Sequence, residues 1–209
     1  MALSDFEQSI FFVAGSLRLE GRLSLASGPN AAIITHPHPL YGGDLNNPVV
    51  AALVEIYRRR DYTTLRFNFR GVGASEGHYA DGQGERDDVR AAAAHLEGLG
   101  KTVTDLVGYS FGAWVNLRLN PPLATVHRQL VVAPPVALLE FSDIAALRAE
   151  PLVIVGDRDD FAPLDLLRKL LLCWHPSARL RVLPGADHFY WGMLDRLTTL
   201  VESALDQPA

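Results

Sequence analysis

The chain has 209 residues, 48% of them hydrophobic and 21% charged, with a formal net charge of −5 at pH 7. That length suits one domain over residues 1–209, with a core large enough to need no disulfide, and the lone cysteine, Cys173, has no internal partner. The acidic balance argues against nucleic acid as a partner, no uncharged apolar stretch approaches the ~18 residues of a membrane span, and Asp5 and Glu7 stand where a leader would be basic, so a cytoplasmic location is expected.

In chain order, Gln8–Ala14 and Leu17–Ser27 read as an antiparallel pair, with turn chemistry at Gly15-Ser16 and again at Glu20-Gly21. From residue 30 onward, apolar runs of strand length alternate with helical patterns. The strands are Ala31–Thr35, Thr63–Phe67, Asp105–Tyr109, Gln129–Ala133, Leu152–Gly156 and Ala178–Leu183. The helices between and after them are Val49–Arg60, Gly84–Leu99, Phe111–Leu119, Asp165–Trp174 and Trp191–Leu205, each with a one-sided apolar stripe. Ile33-Ile34 and Val153–Val155 have the unbroken apolar character of strands buried on both faces. This alternation predicts an α/β fold: a mostly parallel sheet covered by helices on both faces, with an antiparallel N-terminal edge. Ligands of such sheets bind beyond the carboxyl ends of the strands, so the chemistry should lie in the loops that follow them.

Two of those loops carry G-x-S-x-G: Gly73-Ala74-Ser75-Glu76-Gly77 and Gly108-Tyr109-Ser110-Phe111-Gly112. The pattern alone therefore selects nothing. A nucleophilic serine on a strained turn needs a buried strand running into it and a helix starting directly after it. Ser110 has both, in Asp105–Tyr109 and Phe111–Leu117, whereas Ser75 follows a glycine-punctuated stretch and precedes more loop. A serine also needs a base oriented by an acid. Of the seven histidines only His175 and His188 follow the candidate acids, and His175 precedes its strand, at the far end of the sheet. His188 follows that strand and is the expected base. Asp157, Asp159 and Asp160, after Leu152–Gly156, are the candidate acids, and spacing does not choose among them. Asp157 suits a loop or charge-pairing role beside Arg158, and Asp187 suits a turn.

An oxyanion hole needs two backbone N–H groups. Phe111 offers one at its helix start; the other is expected from His36–Asp44, where Pro37 and Pro39 have no N–H. His38 is the favoured donor, with Leu40 and Tyr41 as alternatives. The spacing of His36 and His38 admits a metal pair, but the sequence supplies no third ligand, so neither metal nor cofactor is expected.

Four segments together make the sequence similar to the α/β-hydrolase superfamily, and within it to small lidless bacterial serine hydrolases related to dienelactone hydrolase. They are His36–Gly43, Arg66–Gly77, Gly108–Gly112, and Gly156–Pro163 with His188. The resemblance implies a triad acid three residues after Gly156, which is Asp159, and a non-nucleophilic loop around Ser75. The sequence departs from relatives at Asn68, where Asp is common, and at His36-Pro37, where His-Gly is common. Relatives of dienelactone hydrolase itself use cysteine where this chain has Ser110.

Only about 18 residues separate Ala133 from Leu152, enough for a short helix at Phe141–Leu147 and too few for a lid domain. The expected site is therefore open, with Leu40, Tyr41, Phe161 and Phe189 as rim candidates and Phe111, Tyr190 and Trp191 as further aromatic ones. The reaction expected is cleavage of a small or medium acyl ester or thioester through an acyl-enzyme. A non-catalytic ligand-binding protein on the same fold, a serine peptidase and an acyltransferase are the alternatives.

Overall fold

A computed structural model describes residues 7–207 except 145. The acidic N-terminal residues read as lacking a leader lie outside the described residues, apart from Glu7. Eight strands form one sheet: β1 (Gln8–Ala14), β2 (Leu17–Ser24), β3 (Asn30–Thr35), β4 (Thr63–Phe67), β5 (Thr102–Tyr109), β6 (Arg128–Val132), β7 (Glu150–Gly156) and β8 (Arg179–Leu183). Their order is β1-β2-β4-β3-β5-β6-β7-β8. The β1–β2 and β2–β4 pairs are antiparallel, and every other pair is parallel. The predicted α/β class and its antiparallel edge are both present.

Helices cover both faces, as the two-sided burial of the central strands requires. On one face, α1 (Pro48–Arg58) and α5 (Leu194–Asp206) pack Leu53, Ile56, Leu197 and Val201 against Ile34, Val107 and Ile154. On the other, α2 (Gln83–Gly98), α3 (Phe111–Leu117) and α4 (Leu164–Trp174) pack Val89, Val115 and Leu167 against Ile33, Leu106 and Val153. Ile33 and Ile34 are adjacent in sequence and fully buried in opposite cores, the expected result of the period-two side-chain alternation of a strand.

Three readings are corrected. Glu20-Gly21 is not a turn: Gly21 lies inside β2, paired with Ile10 and Phe67, and a Cβ there would come within 3.1 Å of Leu65 and 3.3 Å of the Arg66 carbonyl. Close strand approach, not turning, explains that glycine. The helix expected at Phe141–Leu147 does not form among the described residues; the segment is turns that bury Phe141 and Ile144. The last helix starts at Leu194 rather than Trp191, because Tyr190 and Gly192 take positive φ (54° and 66°) in the preceding turn. The connection from β6 to β7 holds no helix and no lid among its described residues.

Candidate active site

The order of strands puts β3 and β5 side by side, with the next strand after β3 on one side and the next after β5 on the other. Their carboxyl ends open into a crevice where the strand order reverses, the usual ligand position in such sheets. Ser110 follows β5 directly, at φ 55° and ψ −116°, and is the residue on which strand turns into helix α3. Its N–H donates to the Val132 carbonyl (2.8 Å) at the end of β6. The flanking glycines let backbone cross backbone. A Cβ on Gly108 would lie 2.5 Å from Ala113 N and Cα, and one on Gly112 would lie 2.7 Å from the Thr35 backbone.

His188 sits in the loop after β8, and its Nε2 lies 2.9 Å from Ser110 Oγ. Its Nδ1 lies 2.9 and 3.0 Å from the two Asp159 carboxylate oxygens. With Nδ1–H donating to the acid, Nε2 accepts from the serine hydroxyl. All three residues are buried, with 4–6% of their surface exposed. Asp159 is held in turn: its Oδ1 accepts the N–H groups of Phe161 (2.9 Å) and Ala162 (3.0 Å). Tyr109 donates its hydroxyl to the His188 carbonyl (2.9 Å), bracing the histidine loop from below; sequence reading gave that tyrosine no role.

The other two aspartates and the second histidine are placed elsewhere. Asp157 accepts from Gly185 N–H (2.6 Å), clasping the loop after β8 to the loop after β7, and Asp160 is exposed. Gly156 permits that contact, since a Cβ on it would sit 2.1 Å from the Ala186 carbonyl oxygen. Asp187 accepts from Phe189 N–H (3.0 Å), the turn role expected of it. His175 ends α4, before β8.

In the loop after β3, a 3-10 turn spans Pro39–Tyr41, capped by the His38 ring: Nδ1 accepts the Leu40 N–H (3.2 Å), and the His38 carbonyl accepts the Tyr41 N–H (3.1 Å). Both alternative oxyanion donors are thus spent inside the loop. The N–H groups of His38 and Phe111 have no partner among the described residues, the latter because it opens a helix. The rings of His38 and Phe111 pack at 4.7 Å, and Tyr79 contacts both, at 5.2 and 5.8 Å. Tyr79 lies in a long loop and carried no sequence signal. Burial lowers the pKa of His38, favouring the neutral ring that can accept from Leu40.

His36 is fully buried, with Nδ1 donating to the Pro37 carbonyl (2.6 Å) and Nε2 accepting from Phe69 N–H (3.0 Å). Burial drops its pKa to about 4. Both ring nitrogens serve the fold, leaving no lone pair for a metal. Around the mouth, Leu40, Tyr41, Phe189 and Trp191 are exposed and Phe161 is half-buried. Phe161 and Phe189 touch the His188 ring at 4.7 and 5.5 Å. Phe111 and Tyr190 are buried, which removes them from the rim.

A model of the alpha/beta hydrolase family matches residues 36–152, more than half the chain. The chain belongs to the alpha/beta hydrolase family. Among proteins of known structure, this alpha/beta hydrolase is similar to a serine hydrolase homologue from Coxiella burnetii, at 31% identity and TM-score 0.87 over 95% of this chain and 97% of that one. It is also similar to a serine hydrolase without a lid from Xanthomonas campestris, at 30% identity and TM-score 0.86 over 97% of this chain and 96% of the other. An uncharacterised protein of Rickettsia prowazekii is 35% identical over 193 residues, covering 87% of this chain and 81% of the relative. As an alpha/beta hydrolase without a lid, the protein meets the expected small lidless class.

Proposed function

We propose that this protein is a serine hydrolase that cleaves carboxylic esters through an acyl-enzyme. The carrying observation is the unbroken hydrogen-bond chain from Ser110 Oγ through the His188 ring to the Asp159 carboxylate. In the reading this supports, Ser110 Oγ attacks the acyl carbonyl while His188 Nε2 takes its proton. Asp159 keeps the ring in the tautomer that can accept, and stabilises the imidazolium that forms. The N–H groups of Phe111 and His38 receive the carbonyl oxygen as it becomes an oxyanion, each such donor being worth about 10²–10³ in rate. His188 returns the proton to the departing alcohol, and the acyl group remains on Ser110. Water, deprotonated by the same ring, then attacks the acyl-enzyme, releasing the acid and restoring the serine. No step requires a metal or a cofactor.

The test is covalent labelling with an alkyl fluorophosphonate, followed by peptide mapping. Wild type and Ser75→Ala should label at Ser110, and Ser110→Ala should not label and should lose ester turnover by roughly 10⁴–10⁶-fold. Label at Ser75, or esterase activity that survives Ser110→Ala, would overturn the reading.

A further inference from the structure

The mouth of the site combines two features that together choose a substrate class. Its surface is apolar: Leu40 (65% exposed) and Tyr41 (86%) project from the loop after β3, and Phe189 (53%) with Phe161 flanks the His188 ring. Its surroundings are negative. The loops that follow β3, β4, β7 and β8 carry Asp44, Asp81, Asp157, Asp160 and Asp187. Arg70, in the loop after β4, is spent on Asp88 (2.7 Å), which leaves Arg158 as the opposing cation in these loops.

Three of the aspartates act on groups at the site. Burial and then Asp159 raise the Tyr109 phenol pKa most, Asp187 adds to them in the same direction, and Tyr109 contacts the His188 ring. Asp81 acts in the same direction, second to burial, on Tyr79, which packs on His38 and Phe111. Asp44, after the Pro37 hydrogen bond, opposes the downward shift that burial imposes on the structural His36. None of the three is needed as a charge where it sits. Asp44 and Asp187 accept backbone N–H groups (Asn46 at 2.8 Å, Phe189 at 3.0 Å), and Asp81 holds φ 51°. Asparagine does all of this equally well.

We infer that the site selects esters whose acyl group is apolar and carries no negative charge, the aspartates of these loops repelling acyl groups that end in a carboxylate or phosphate. The inference rests on the esterase reading and adds a substrate class to it. An acyl chain laid across Leu40 and Tyr41 or across Phe161 and Phe189 gains by leaving water, whereas an anionic terminus loses hydration there and meets several like charges through a low-dielectric surface.

The experiment compares the 4-nitrophenyl esters of hexanoic acid and of adipic acid. The two acyl chains are equally long, and only the adipate monoester ends in a carboxylate. We expect kcat/KM to favour hexanoate at least ~tenfold at low ionic strength, with the gap shrinking several-fold at ~1 M salt. The triple variant Asp44→Asn, Asp81→Asn, Asp187→Asn should close it similarly at low salt. Rates within about twofold of each other, or a gap indifferent to both salt and the triple variant, would overturn the inference. A neutral alkyl fluorophosphonate and one ending in a carboxylate read the same selection as labelling rates at Ser110, without turnover. Selective labelling without hydrolysis would sink the esterase reading and keep the charge selection. Absence of labelling by either probe would sink both.

Discussion

Gly73–Gly77 and Gly108–Gly112 match the same five-residue pattern, yet the two serines live in opposite worlds. Ser110 is a junction: a strand ends on it, a helix begins after it, and its hydroxyl meets a histidine. Ser75 is a rivet: its hydroxyl donates to the Asn68 carbonyl (2.7 Å) and accepts the Glu20 N–H (2.9 Å), tying the loop after β4 to strand β2. The glycines differ as well. Gly108 and Gly112 are small because backbone passes within 3 Å, whereas Gly73 and Gly77 are needed for positive φ, 56° and 86°. A hydroxyl whose proton is committed to a main-chain carbonyl has no base beside it to activate it. What separates the two loops is what the hydroxyl touches, and the pentapeptide does not encode that.

The contrast can be attacked at its strongest point first. Beyond loss of Ser110 itself, Asp159→Asn should lower kcat by roughly 10³–10⁴-fold, since the amide favours the wrong tautomer of His188. Asp157→Asn and Asp160→Asn should stay within about tenfold of wild type, Asp157 acting on a loop and Asp160 being exposed. Steady-state ester kinetics decide it, and an Asp160→Asn collapse would reassign the acid.

Stability should then distinguish the glycines. In Gly112→Ala the new methyl meets main chain that cannot yield, so we expect a loss of about 3 kcal/mol or more, or no soluble protein. In Gly77→Ala it meets Leu17 Cδ1 at 2.8 Å, the far end of a flexible side chain, with about 1–2 kcal/mol added by the left-handed backbone. Urea midpoints that fall further for Gly77→Ala would refute the distinction.

Ser75→Ala should cost about 1–3 kcal/mol by stranding Glu20 N–H and the Asn68 carbonyl, with kcat within about twofold of wild type. At this chain length that is a Tm drop of about 2–4 °C per kcal/mol.

The smallest effect concerns His36, which holds the same loop through Phe69 N–H. Its folded pKa, about 4, lies below the ~6.5 of the unfolded chain. The unfolded state therefore binds the proton first on acidification. The stabilisation is complete above about pH 6.5 and is lost as pH falls toward 4, at about 1.4 kcal/mol per pH unit. Wild type should lose about 2 kcal/mol more than His36→Gln between ~pH 7 and 5 in denaturant titrations. Parallel slopes would remove His36 from the acid response.

Much of this was legible because the decisive features are local or ordered along the chain. A strand running into Ser110, a helix leaving it, and an aspartate and a histidine after later strands are all one-dimensional patterns. Spacing alone left Asp157, Asp159 and Asp160 equivalent, since the choice depends on which carboxylate turns inward to receive Phe161 and Ala162 N–H. Tyr79 and Glu20 escaped because their partners are distant: Glu20 Oε2 accepts from Asn68 and Ala74, about 50 residues away. Gly21 misled because turns and close strand packing both favour glycine. β5 starts at Thr102, three residues before the apolar run that marks it in the sequence, because the β-branched Thr102-Val103-Thr104 suits a strand without being apolar. The Phe141–Leu147 stretch has helical spacing, yet Phe141 stacks on Trp174 at 5.6 Å, so tertiary packing overrode local preference.

On the esterase reading, the short connection between β6 and β7 has a consequence for the fate of the acyl group. Enzymes that pass acyl groups to chosen acceptors must keep water from the intermediate, usually by closing something over it. The described residues of that connection supply no such cover, so an acyl group on Ser110 would meet water as its most abundant acceptor. Added alcohols would then divert the acyl group in simple proportion to their concentration, without saturation. On the esterase reading, hydrolysis rather than transfer is the expected outcome of that open door.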